Sequence, residues 1–155
     1  MGWLIVCNNQ SCKRTSYAIN IDDLLAKHRN EEGWFKCAHC GSTGHIYKRF
    51  ELQEKGTTWE PYLRGAISLG LEGDTYQPFV FLVSYESDGP VYDMWFSYFK
   101  DTRQQGGKLK MGYGPGGPPV LASHQLIDLV LTVLKLNIIQ KENILKLIED
   151  LKTDV

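Results

Sequence analysis

Apolar residues recur along the chain with two different periods. In the middle the pattern is that of strands. The run FVFLVSYE (79–86) is apolar and aromatic, and SDGP (87–90) follows with an Asp-Gly pair. VYDMWFSYF (91–99), the polar DTRQQGG (101–107) and KLKMGY (108–113) come next. Short apolar runs separated by turn residues predict an antiparallel β meander. HIYKRFELQ (45–53) and PYLRGAISLG (61–70) are candidates for further strands.

Towards the C-terminus the period becomes helical. SHQLIDLVLTVLKL (123–136) predicts a helix capped by Ser123 and stopped near Asn137. Its polar residues Asp128, Thr132 and Lys135 make one narrow stripe, so burial on most sides is expected. KENILKLIEDLK (141–152) sets Ile144, Leu145, Leu147, Ile148 and Leu151 on one face and charges on the other, an amphipathic helix. The two are expected to pair as a helical hairpin that covers the sheet, with homodimerisation as its other use. Nearer the N-terminus, INIDDLLAKHRNEEG predicts a short helix. Asn20 would cap it, Asp22 and Asp23 fall in its first turn, Leu24 and Leu25 face inward, and it ends before Gly33. The expected fold class is α+β.

Nine of the eighteen aromatic residues fall between Tyr76 and Phe99. A sheet displaying them would stack bases or hold an apolar ligand. The simpler reading makes them core, because aromatic residues commonly fill strands. The consecutive pairs Trp95-Phe96 and Tyr98-Phe99 place rings on both faces, which predicts cover on the second face too.

Composition narrows the partners. A hydrophobic content of 43% and a net charge of −1 describe a globular chain rather than a generally basic nucleic-acid binder. Residues 1–50 nevertheless carry +3 and residues 51–155 carry −4. MGWLIVC lacks the charged lead and the apolar length of a signal peptide. Val6 stands where a myristoylation signal wants Ser or Thr. LIDLVLTVLKL is too short to span a bilayer. No membrane partner and a soluble, cytoplasmic protein are expected.

The strongest chemical signal is four cysteines. Cys7 and Cys12 form CNNQSC, and Cys37 and Cys40 form CAHC, with twenty-four residues between the pairs. Two close pairs at this separation read as one four-thiolate zinc site. Zinc is tetrahedral and takes soft donors, so four cysteines close its shell and make the ion structural rather than catalytic. Gly41 and Gly44 suit the tight turn of a metal knuckle. GWFKC before it and HIYKRFEL after it suit the strands of a hairpin. The competing readings are two disulfides, a redox-active CAHC and rubredoxin-like iron. His39 and His45 are surplus to a four-cysteine shell and are expected to be exposed.

The stretch CNNQSCKRTSYAINIDDLLAKHRNEEGWFKCAHCGSTGHIYK resembles a zinc ribbon, in particular the short ribbons at the N-termini of many bacterial proteins. The resemblance covers about the first 50 residues. It departs from the family in the first pair, where four residues replace the usual two. It implies a first domain at 1–50, leaving 51–155 for the sheet and the two helices, with a Gly/Pro connector at 112–119. Such ribbons serve in nucleic-acid binding, protein contact or structural support.

One motif points elsewhere. GYGPGG (112–117) matches the G-x-G-x-x-G fingerprint of a dinucleotide turn. Such a turn follows a buried strand, opens a helix directly and is completed by an acidic residue about 20 positions on. Here Pro118 and Pro119 follow the last glycine, KLKM is charged, and VLKLN occupies the acidic position. No nucleotide is expected. The connector instead offers Tyr113, Pro115 and Pro118 as a partner-binding loop.

No catalytic constellation is evident, and no catalytic residue is assigned. The leading expectation is a non-enzymatic adaptor that contacts another protein and carries one structural zinc ion. The alternative is nucleic-acid binding through Lys13, Arg14, Lys36, Lys48 and Arg49, which are interleaved with Trp34, Phe35 and Tyr47. The third is an enzyme whose site is assembled from dispersed residues.

Overall fold

The computed structural model describes residues 2–52, 56–71, 73–112 and 119–153. The order of elements is β1 (Trp3–Cys7), β2 (Thr15–Ala18), α1 (Ile21–Lys27), β3 (Gly44–Tyr47), β4 (Phe50–Glu51), β5 (Thr58–Trp59), β6 (Tyr62–Ser68), β7 (Tyr76–Ser84), β8 (Asp93–Asp101), β9 (Leu109–Met111), α2 (Ser123–Lys135) and α3 (Lys141–Thr153). The fold is α+β. Two compact units are distinguished, residues 1–120 and 121–155.

In the first unit seven strands form one antiparallel sheet in the order β2-β1-β3-β6-β7-β8-β9. The expected meander is present as β7, β8 and β9, with Ser87-Asp88-Gly89-Pro90 in the first connection. HIYKRFELQ and PYLRGAISLG supply β3, β4 and β6. The cysteine-bearing segment and the meander share this sheet, because β3 pairs with both β1 and β6, through Cys7↔Gly44 and Ile46↔Leu63. A separate hairpin, β4–β5, pairs Phe50 with Trp59.

Alternation along the strands fills the core. Phe79, Phe81 and Val83 point to one face of β7 and meet Trp3, Ile5, Leu24, Phe35 and Leu63. The Phe81 ring is the hub, with centroids 5.5 Å from Trp3, 6.3 Å from Phe35, 5.0 Å from Phe79 and 5.3 Å from Trp95. On the opposite face Val80 and Leu82 are also fully buried. The pair Tyr98-Phe99 is buried on both faces, whereas Phe96 is exposed. Four of the nine aromatics, Phe79, Phe81, Tyr98 and Phe99, are core and Trp95 packs against it, while Tyr85, Tyr92 and Phe96 are exposed.

The Asn20 cap is formed: its side chain accepts from the Asp23 amide at 2.9 Å. The Asp23 carboxylate returns the favour to the Ile19 amide at 3.0 Å. In the second unit, α2 ends as its sequence predicts. Asn137 takes φ 54, and the Ile138 and Asn137 amides bond back to Val133 and Leu134, a Schellman closure. Two details differ from expectation. Ala122, not Ser123, is the cap residue, and its amide is met by the Gln125 side chain at 2.8 Å. Along α2 only Leu129 and Val133 are buried, while Leu126, Ile127, Val130 and Leu131 are exposed. A single stripe of contact shields one helix face, and an apolar majority in the sequence does not create further cover. Among the described residues no helix is long and apolar enough to cross a membrane.

Candidate metal centre

Cys7 is the last residue of β1, and Gly44 opposite it is the first of β3. The two cysteine loops therefore meet at one end of this strand pair. The second loop is a short hairpin. Lys36 and Thr43 bridge across it, the Cys37 amide donates to the Ser42 carbonyl at 2.8 Å, and the Gly41 amide donates to the Cys37 carbonyl at 2.9 Å. Gly41 closes the turn at φ +74, a conformation that residues with a Cβ rarely adopt. The first loop absorbs its two additional residues through Asn9. The Asn9 side chain accepts from the Ser11 amide at 2.9 Å, and its carbonyl accepts from the amides of Cys12 and Lys13. Lys13 takes φ 50 and the chain turns back, so that Cys12 lies beside the second loop despite the longer spacing.

The four sulfurs lie within 4.8 Å of one another. Cys7 Sγ is 3.5 Å from Cys40 Sγ, and Cys12 Sγ is 3.8 Å from Cys37 Sγ. A tetrahedral ion with metal–sulfur bonds of about 2.3 Å places its sulfurs about 3.8 Å apart. These separations far exceed an S–S bond, and all four cysteines are free. The donor set and its spacing thus fit a four-coordinate, thiolate-preferring metal ion. Cys7 and Cys37 are buried, Cys12 is half-buried and Cys40 is exposed.

The surroundings favour thiolates unevenly. The Ser42 hydroxyl and amide draw the Cys40 thiol down to about 6. Burial pushes Cys37 up, but the His39 and Cys40 amides outweigh it and the net shift is downward. The His39 amide lies 3.4 Å from Cys37 Sγ. Burial pushes Cys7 up to about 12. A bound cation would override that difference, since coordination deprotonates every ligating thiol outright.

A polar chain ties the first loop to the meander. His45 Nδ1 lies 2.6 Å from Asn8 Oδ1, and Asn8 Nδ2 donates to Asp88 at 2.9 Å. Asp88 accepts from the Arg64 guanidinium at 2.6 Å. Arg64 is buried, with its Nε unpartnered, and its other arm donates to the Gly89 carbonyl. His39 is exposed as expected, but His45 is buried. The expectation of two exposed histidines is corrected for His45, because β3 carries it into the sheet against Tyr62, 5.3 Å between ring centroids. The sequence held one hint of this network, a lone arginine inside the apolar strand PYLRGAISLG.

The other candidate residues scatter. Lys13 and Arg14 are exposed beside the first cysteine loop, and Lys36 is half-buried before the second. Lys48 and Arg49 lie at the far end of β3, where Lys48 sits 4.2 Å above the Trp3 ring. Trp3 is four residues from Cys7, so about 13 Å of strand separates these two basic groups. Phe35 is completely buried and meets Phe81 edge-on within the core. Tyr113, Pro115 and Pro118 lie outside the described residues.

Fold and site together define a small α+β protein with a four-cysteine cluster of metal-binding geometry. No protein-family model matches the chain, and neither a curated protein nor a solved structure is significantly similar to it.

Proposed function

We propose that the protein is a non-enzymatic adaptor whose first unit is held together by one structural zinc ion on Cys7, Cys12, Cys37 and Cys40. The observation that carries this is the convergence of four thiols, from loops 25 residues apart in sequence, at separations of 3.5 and 3.8 Å. Four thiolates complete a tetrahedral shell and leave no position for water or substrate, so the ion supplies folding energy rather than chemistry. The donor set supports zinc over the harder divalent ions, because thiolates select soft and borderline metals.

The protein-contacting role rests on β2. It is an edge strand of the sheet, and the β1–β2 ribbon turns Leu4, Tyr17 and Ile19 outward, with exposures of 53, 61 and 64%. Leu4 and Tyr17 are cross-strand partners. An exposed edge with apolar side chains is a template for pairing with another chain. Native mass spectrometry of the purified full chain tests the metal: the reading requires one zinc per chain, with four protons lost. A metal-free mass, or a stoichiometry other than one, overturns it. Affinity capture with wild type and with Tyr17→Ser tests the contact, and equal capture of every partner by both removes the edge as the interface.

A second reading, nucleic-acid binding, is favoured by Lys13 and Arg14. Both are exposed beside the metal loops and have no carboxylate partner among the described residues. Phosphate contacts of this kind give affinity that falls steeply with salt. Filter binding to single- and double-stranded DNA and RNA at low salt, with Lys13→Glu as the control, decides it.

A further inference from the structure

The β4–β5 hairpin stands off the main sheet, and the space beneath it is a cleft of about 900 Å³. Its walls are Trp3, Ile21, Phe50, Trp59, Trp95 and Met111. The rings form a continuous surface. Phe50 stacks on Trp59 at 5.2 Å, and Trp95 meets both edge-on, at 5.4 and 6.0 Å. Protein interiors close to crystal-like density, so an aromatic-walled space of this size differs from ordinary packing voids. It falls within the range of small-molecule sites, roughly 300–1,000 Å³.

The charged groups of the cleft have one sign, and Asn20 is its neutral polar group. Lys48, Arg49 and Arg103 line it, and no carboxylate does among the described residues. Two of the cations are already paired outside the cleft. Arg49 bonds Glu60 at 3.3 Å, and Arg103 bonds Asp101 at 2.6 Å and Asp22 at 2.8 Å. Lys48 has no carboxylate partner among the described residues. Its ammonium is half-buried over the Trp3 ring, 4.2 Å from the centroid.

We propose that this cleft binds a small amphipathic monoanion, with an apolar body among the tryptophan and phenylalanine rings and a carboxylate on the Lys48 ammonium. One unpaired cation balances one negative charge, whereas a phosphate dianion would bring a second charge with no counter-charge left to meet it in the cleft. Burial lowers the Lys48 pKa, so an anion that restores its lost hydration is favoured there. The site is independent of the metal and extends the function beyond contact with another macromolecule.

The cleft reports on itself, because three of the four tryptophans line it. The metal-loaded full chain is titrated with decanoate, with 2-naphthoate and with the neutral decanol, following tryptophan emission and heat. A saturable change with a carboxylate is expected, with decanol at least about tenfold weaker, the worth of one charge-assisted hydrogen bond. Tighter binding of 2-naphthoate assigns a ring to the body, and tighter decanoate assigns a chain. Lys48→Met keeps the apolar stem and is expected to lower carboxylate affinity about tenfold while leaving decanol unchanged. No saturable response to either carboxylate overturns the proposal, as does decanol binding as well as decanoate. The wild-type comparison decides the matter even where Lys48→Met does not fold.

Discussion

Cys40→Ala separates coordination from packing. Cys7 and Cys37 are buried, so truncating either opens a cavity whether or not a metal is bound. Cys40 is exposed, and its side chain fills no interior space. If the four thiols were only neighbours, Cys40→Ala would be a surface change within about 0.5 kcal/mol. If they hold zinc, the substitution removes one of four ligands. Structural zinc contributes about 10–16 kcal/mol of apparent binding energy, or roughly 2.5–4 kcal/mol per ligand if shared equally. In a chain of this length each kcal/mol moves the melting point by about 2–4 °C. The expected fall in Tm is therefore about 5–16 °C, against about 1–2 °C for a mere surface change. Thermal unfolding is followed by circular dichroism, with metal content per chain measured on the same samples. A chelator removes all four bonds where the substitution removes one, so it should lower wild type below the untreated variant and lower the variant further as well. The reasoning is refuted if Cys40→Ala melts with wild type at unchanged metal content, or if a chelator leaves wild type unmoved.

Other outcomes follow from the core and the polar chain. Phe81→Ala removes the ring at the centre of four aromatic contacts and should cost about 3–5 kcal/mol, read as a Tm fall of roughly 6–20 °C. A loss under about 1 kcal/mol would show that this face is not the core. Gly65→Ala should cost about 1–3 kcal/mol, because a Cβ there would lie 2.4 Å from the Gly33 carbonyl oxygen and 3.0 Å from the Trp34 Cα. Urea unfolding with an unchanged midpoint would contradict that close approach. Burial, and then the nearby Arg64 charge, hold the His45 pKa below its usual value. As pH falls below about 6.5 the unfolded chain therefore takes up the proton first. The stability due to neutral His45 is full above that pH and is lost as pH drops towards the folded pKa. His45→Gln should flatten the decline of Tm between about pH 7 and pH 5. Thiolate protonation contributes equally to both proteins, so identical slopes would exclude His45.

Local features carried most of the legible information. The Asp88-Gly89 turn, the Asn20 cap and the Asn137 stop each depend on a few neighbouring residues, and each is present in the structure, as is the convergence of the two cysteine pairs. Knuckles, turns and caps are closed by short-range hydrogen bonds, so a short window of sequence suffices to specify them. The fold class was legible for the same reason, through the change from strand to helical periodicity.

Tertiary structure decided what short windows do not contain. The continuous sheet depends on β3 pairing with both β1 and β6, contacts whose register is set by burial on one face. That pairing buries His45, joins Arg64 to Asp88 and sends Lys48 away from the cysteine loops to lie over Trp3. The aromatic cleft is the clearest case. Trp3, Phe50, Trp59 and Trp95 come from four different strands, and nothing in their spacing announces a common wall. The cysteines of each pair lie close in sequence because each pair sits on one short loop. The walls of a cleft are brought together only by the pairing of distant strands.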